Sequence, residues 1–193
     1  MVMDGVTFIP GRRLQQRGAE TIILPLSWGG MFSAGEVPLS GATIPAIPAY
    51  DTAVTVYPLC TTQTGTGTST DIWWTIVILP SIYLAAIDLT LMMDGIYLLT
   101  GDAVLVAATL DLEAFPYDSV NGDFSNTDIN ATAAQALATA FATESFTLTG
   151  TNLTAGQPIL LRFTSVINIT SAGAAGTGRN GFNFPRLSFS GKE

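Results

Sequence analysis

The sequence predicts an all-β domain: an antiparallel β-sandwich, jelly-roll-like, with about eight strands and an extended N-terminal arm. Three observations lead there. Apolar residues recur at every second position over several segments, the period of a strand with one buried face. Clusters of Gly, Pro, Asn, Asp and Ser punctuate those segments. The length, 193 residues, suits one domain, or one domain with an arm.

The elements follow in order. Residues 1–19 read as the arm: Met1–Ile9 has no helical period, Pro10-Gly11 marks a turn, and Arg12–Gly18 is polar. The domain then spans residues 20–193. Thr21–Ser27 is short and apolar, and Trp28–Tyr50 is a Gly- and Pro-rich loop. Ala53–Cys60 alternates and is β-branched. Thr61–Thr70 (TTQTGTGTST) reads as a Thr/Gly loop. Asp71–Leu79 is a strong strand, with Trp74, Ile76 and Ile78 on one face and Trp73, Thr75 and Val77 on the other.

Ala86–Met92 points Ile87, Leu89 and Leu91 one way. Ala103–Glu113 is expected to turn Val104, Val106, Ala108, Leu110 and Leu112 inward. Ala131–Thr143 (ATAAQALATAFAT) has alanine-rich helix propensity, but its four threonines and lack of charge leave a strand open. Glu144–Thr149, Pro158–Ile169 and Phe182–Phe189 complete the set. In Pro158–Ile169, the clearest strand, Ile159, Leu161, Phe163, Ile167 and Ile169 share one face and Arg162, Thr164 and Asn168 the other.

The composition narrows function. Hydrophobic residues make up 48% and charged residues 11%, against about 25% charged in an ordinary domain. So few charges imply that part of the surface meets other protein chains. The longest strongly apolar uncharged run, Ile72–Ile87, includes Thr75, Pro80 and Ser81 and is too short for a spanning helix. No membrane partner is expected. Nor does the N-terminus read as a secretory signal, because Arg12 and Arg13 follow the apolar stretch; synthesis in a host cytoplasm is expected. Cys60 stands alone and reads as a small hydrophobe. Residues 1–20 carry a net charge of +1 and the remainder −9, which argues against nucleic acid as a partner.

Catalytic chemistry is sparse. There is no histidine, which removes the His general base, the Ser-His-Asp triad and His metal ligands. The single lysine, Lys192, lies next to the C-terminus, leaving no P-loop or Schiff-base lysine. A carboxylate pair, as in glycoside hydrolysis, is the catalytic option left, and no acidic residue is marked out by its setting. The expectation is no enzyme and no cofactor.

Four motifs need weighing. Gly176-Thr177-Gly178-Arg179-Asn180-Gly181 matches GxGxxG by letters, but no helix follows it, so it reads as a hairpin loop between the last two strands. The acidic stretch Asp118–Asp128 offers Asp118, Asn121, Asp123, Asn126 and Asp128 as oxygen donors for calcium, without EF-hand spacing; an ordinary turn is the competing reading. Sequons at Asn130, Asn152 and Asn168 are expected in so Thr-rich a chain. Trp73 and Trp74 face opposite ways in a strand. One belongs to the core, and the other is offered to a glycan or a partner chain.

The order of features resembles a group of β-sandwich proteins encoded by tailed bacteriophages and prophages. The resemblance rests on Ala19-Glu20-Thr21-Ile22-Ile23-Leu24-Pro25-Leu26, Trp73-Trp74-Thr75-Ile76-Val77-Ile78-Leu79-Pro80 and Ala108–Glu113. It continues through Ala131-Thr132-Ala133-Ala134-Gln135, Phe146-Thr147-Leu148-Thr149-Gly150, Leu153-Thr154-Ala155-Gly156-Gln157 and Leu160-Leu161-Arg162-Phe163-Thr164. It implies a virion structural role, foremost a capsid decoration (cement) protein on the capsid surface. The partners would be the major capsid protein and further copies of itself, as a trimer or dimer. Arg12, Arg13 and Arg17 of the arm would then meet acidic groups on a neighbour. The alternative is a carbohydrate- or receptor-binding module of a tail or fibre, with Trp28, Trp73, Trp74 or Tyr83 as its aromatic platform. The third is a carboxylate-based glycosidase.

Overall fold

The computed structural model describes residues 19–22, 30–33, 59–173, 176–183 and 185–190. Arg12, Arg13, Arg17 and Trp28, and with them the arm, lie outside the described residues. Among those described there are strands and no helix. The strands are β1 Ala19–Ile22, β2 Gly30–Ser33, β3 Leu59–Thr64, β4 Gly67–Ile78, β5 Leu89–Thr100 and β6 Ala103–Asp118. They continue with β7 Asp123–Phe124, β8 Gln135–Ala136, β9 Ala142–Leu148, β10 Pro158–Ser171, β11 Thr177–Phe182 and β12 Arg186–Ser190. Every pairing is antiparallel. The first sheet runs β1-β12-β5-β11-β3, with β9 on the other flank of β5. The second runs β2-β4-β10-β6, with β7 and β8 on β6. The fold is the antiparallel β-sandwich that the alternating pattern predicts.

The core lies between the sheets and follows from period-two alternation meeting a fixed register. Trp73, Phe163 and Leu112 form one row across β4, β10 and β6, and all three are fully buried. Phe182 comes from the opposite sheet to meet Trp73 edge-on, ring centroids 5.7 Å apart. Leu89, Leu91, Met93, Phe146 and Leu148 line the first sheet's inner face. Burying a side chain of this size contributes about 1.5–3 kcal/mol.

Several expectations need correction. Thr61–Thr70 is not a loop: β3 and β4 occupy it except for a turn at Gly65 and Thr66. Thr is a good strand residue, and Gly65 supplies the left-handed backbone, φ 70°, that such a turn requires. Ala131–Thr143 is not a helix. It yields the two-residue β8 and the first residues of β9, with Leu137 buried in the core. The expected strand Ala86–Met92 starts only at Leu89, and Ile87 is exposed.

Val104 and Val106 also point outward, 62% and 57% exposed. The β6–β10 register shifts between Asn168 and Ile169, so Ala107 faces Asn168 while Leu105 faces Ile169. The extra residue inverts the alternation, and Leu105 packs against the core instead.

The GxGxxG segment is likewise no hairpin loop, since β11 runs through it. Its glycines answer to packing. A Cβ on Gly178 would come 2.7 Å from Ile169 Cγ2, and one on Gly176 would come 2.6 Å from Ser171 Oγ. The last expected strand, Phe182–Phe189, is broken into β11 and β12 around Asn183 and Pro185, since Pro185 has no N–H to give the ladder.

Candidate functional site

A concave polar surface lies at one end of the sandwich. The close of β6 (Pro116–Asp118) meets residues 125–129 and the β9–β10 connection, residues 149–157, around a cleft of about 510 Å³.

Local chemistry builds each wall. Asp118 ends β6 and turns the chain: its carboxylate accepts the Val120 N–H at 2.8 Å and the Asn121 amide at 2.6 Å. Its carbonyl accepts the Gly122 N–H at 2.9 Å. Gly122 has φ 71°, which favours glycine. The turn sends β7 back along β6, where the Phe124 ring meets Tyr117 edge-on at 5.6 Å. Gln157 ties the opposite wall down, donating to the Tyr117 carbonyl at 2.9 Å and accepting the Thr154 N–H at 3.0 Å. The far end of that wall is anchored by Gly150, whose N–H reaches Asp88 at 2.8 Å. A Cβ on Gly150 would lie 2.0 Å from the Ile87 carbonyl oxygen, so a glycine is required.

Within this frame many polar groups remain uncommitted. The hydroxyls of Tyr117, Ser119, Thr127, Thr149, Thr151 and Thr154 and the amide of Asn152 line the cleft. None of these groups is hydrogen-bonded to another described residue. Groups of this kind, open to solvent, can exchange water for the hydroxyls of a ligand. Asp118 is the one carboxylate among the lining residues, and no cation lines the cleft. The facing carboxylates of a glycosidase are therefore not found there.

Of the two readings of Asp118–Asp128, calcium loop and ordinary turn, the hydrogen bonds fit the turn. Asp123 accepts the Phe124 N–H at 2.7 Å, and Asp128 accepts the N–H groups of Ala114 and Asn130, each at 2.8 Å. The carboxylates are spent on separate turns, and no group of three metal-ligating side chains occurs among the described residues.

The other candidates separate. Trp73 is core and Trp74 is outward and half-buried, as their adjacency predicts. Tyr83 cannot be a platform: it is fully buried, its hydroxyl bonded to the Ile87 carbonyl. Asn130 is held by the carbonyls of Leu112 and Thr132, and Asn168 sits inside β10; Asn152 alone of the three sequon asparagines is exposed. The residues that sequence reasoning missed are Tyr117, Ser119, Thr151 and Gln157. Thr149–Thr154 carries a signal for Thr151, three threonines and an asparagine in six residues, whereas Tyr117, Ser119 and Gln157 join it only in the folded chain.

Away from the cleft, Asp94 is clamped by both terminal nitrogens of Arg186, at 2.7 and 2.8 Å, and receives the Thr143 hydroxyl. These partners, the Arg186 hydrogen bonds foremost, hold its carboxyl below the usual range. Asp71 is the opposite case: burial raises its carboxyl, and the neighbouring Thr61 hydroxyl offsets only part of that.

No family model and no curated protein matches the sequence. Among solved structures, the chain is similar to TmCBM61 in complex with β-1,4-galactotriose (9% identity, TM-score 0.34, covering 65% of this chain and 67% of that one). It is also similar to the family 11 carbohydrate-binding module of a cellulosomal cellulase from Clostridium thermocellum (12% identity, TM-score 0.34, covering 93% and 98%). At such TM-scores these are likenesses of outline, and neither bears on what this chain binds.

Proposed function

We propose that this chain is a non-catalytic binding module that takes a neutral oligosaccharide in the cleft between the end of β6 and residues 149–157. One observation carries the reading: uncommitted hydroxyl and amide groups converge on a concave surface whose walls are already fixed by Gln157, Gly150 and the Asp118 turn. Neutral sugars are recognised by such groups, together with an aromatic face or edge to pack on. Tyr117, held by Phe124, is the aromatic ring of the lining. Walls fixed in advance reduce the ordering cost of binding. With a single carboxylate, already bonded, the cleft has binding groups and no acid–base pair.

The test is titration calorimetry against a panel of neutral tri- and tetrasaccharides, chosen by glycan array. Tyr117→Ala and Asn152→Ala should each weaken binding by about tenfold or more, which corresponds to ~1.4 kcal/mol. An array with no hits, or hits indifferent to both substitutions, refutes the reading.

A second reading, a capsid decoration protein bound to the major capsid protein of a tailed phage, is favoured by a different observation. Ile76, Ile78, Val104 and Val106 expose aliphatic surface on the outer face of the second sheet, and such surface suits protein contact. Co-sedimentation with undecorated shells tests it. Removal of residues 1–18, with Arg12, Arg13 and Arg17, should abolish co-sedimentation while β1 and the fold persist. A chain that never co-sediments counts against this reading.

A further inference from the structure

The chain holds two Asn-Gly pairs, Asn121-Gly122 and Asn180-Gly181. Asparagine is chemically labile, and most so before glycine, which has no side chain to shield its backbone nitrogen. That nitrogen can attack the asparagine Cγ. The N–Cγ bond forms as the proton on nitrogen passes to solvent, and the side-chain nitrogen leaves as ammonia. The five-membered imide then takes up water at either carbonyl and opens to aspartate or isoaspartate. The attack needs rotation of the asparagine backbone and side chain, so the fold decides which pair reacts.

The two pairs sit in opposite settings. Asn180 is fully buried within β11. That strand is paired on both sides, with Gly181 opposite Cys60 of β3 and Ile96 of β5. The Asn180 amide donates to Ser165 Oγ at 3.0 Å and to the Val166 carbonyl at 2.8 Å. Turning the Gly181 nitrogen towards Cγ would break those bonds and both ladders. Asn121 instead stands at the tip of the β6–β7 turn, where residues 119–123 are all exposed. A Cβ on Gly122 would meet nothing nearer than the Tyr117 hydroxyl at 4.0 Å, so the approach is open. Two bonds restrain the pair: the Asn121 amide to the Asp118 carboxylate at 2.6 Å, and the Gly122 N–H to the Asp118 carbonyl at 2.9 Å. Both belong to a turn closed by the two-residue β7, so opening it breaks few contacts. They slow the reaction below its rate in an unfolded chain without closing it off.

We propose that Asn121 is a site of spontaneous deamidation in the folded protein and that Asn180 is not. The new carboxylate replaces an amide that donates to Asp118, so two like charges meet where a hydrogen bond was. The turn then loosens, and with it the wall that Asp118 gives the cleft. The chemistry needs no ligand and is read apart from what the cleft binds.

The test is incubation of the full chain at mildly alkaline pH, folded and in urea, with peptide mass mapping and isoaspartyl methyltransferase labelling. In the folded chain Asn121 should convert at least about tenfold faster than Asn180. In urea the two should convert at comparable rates. Amide hydrogen exchange at Val120 and Ser125, both bonded within this turn, should be faster in the converted protein than in the unconverted one. An Asn121 that stays intact in the folded chain while the unfolded chain is converted, or an Asn180 that keeps pace with it, overturns the assignment. Unchanged exchange at Val120 and Ser125 after conversion overturns the loosening.

Discussion

Asp71 and Asp94 show how setting decides what one side chain does. Asp94 is held charged by Arg186, so its folded pKa lies below the unfolded one. Its contribution to stability is complete above the ordinary carboxylate range and is lost as pH falls through the lowered folded value. Asp94→Asn should cost about 1 kcal/mol at neutral pH, a bidentate pair partly exposed to solvent being worth little more. Urea melts should show that cost shrinking in acid. Asp71 has the reverse sign. Burial raises its folded pKa, so the ionised form is a burden at neutral pH that is relieved as pH falls through the raised value. Asp71→Asn should therefore stabilise the fold at neutral pH, and the gain should disappear in acid. A neutral-pH melt in which Asp71→Asn is markedly weaker than the wild type would contradict this. The sequence contains both aspartates and distinguishes neither. The Thr61 hydroxyl near Asp71 and the Arg186 guanidinium on Asp94 lie on other strands and meet them only in the folded sheets. The Trp73/Trp74 division, by contrast, needs only strand geometry and is readable from adjacency alone.

At the scale of elements, alternation predicted the long strands well and failed where pairing rather than pattern decides. Pro158–Ile169 keeps its inward set without exception, because β10 is paired along its length with β4 on one side and β6 on the other. The N-terminal end of β6 departs from its own pattern because the bulge is a property of the β6–β10 pair. The GxGxxG letters misled because a glycine can serve close packing in a strand as readily as a tight turn. That packing gives a prediction. Gly178→Ala should destabilise by about 1–3 kcal/mol, since its Cβ would press on Ile169 and Ile167 and force both sheets to give. Gly156→Ala faces open space but has φ 81°, so it should cost about 1–2 kcal/mol through backbone strain alone. Chemical denaturation of the two variants measures both.

For the whole molecule, the sandwich was legible because the long strands β4, β9 and β10 repeat the same statement about which face is buried. The cleft was not, because residues 116–119, 125–129 and 149–157 become neighbours only when β7 folds back on β6 and Gln157 reaches Tyr117. Each segment taken alone reads as a turn. The assembled surface is what supports the proposed glycan-binding module.

The most direct test is a titration of the isotope-labelled protein with the best neutral oligosaccharide, followed by amide chemical shifts. The account predicts saturable shifts confined to Tyr117, Ser119, Thr151, Asn152 and Gln157 and their neighbours, and their loss in Tyr117→Ala. Saturable shifts centred on Trp74 and Arg162 instead, or none at any ligand concentration, would contradict it.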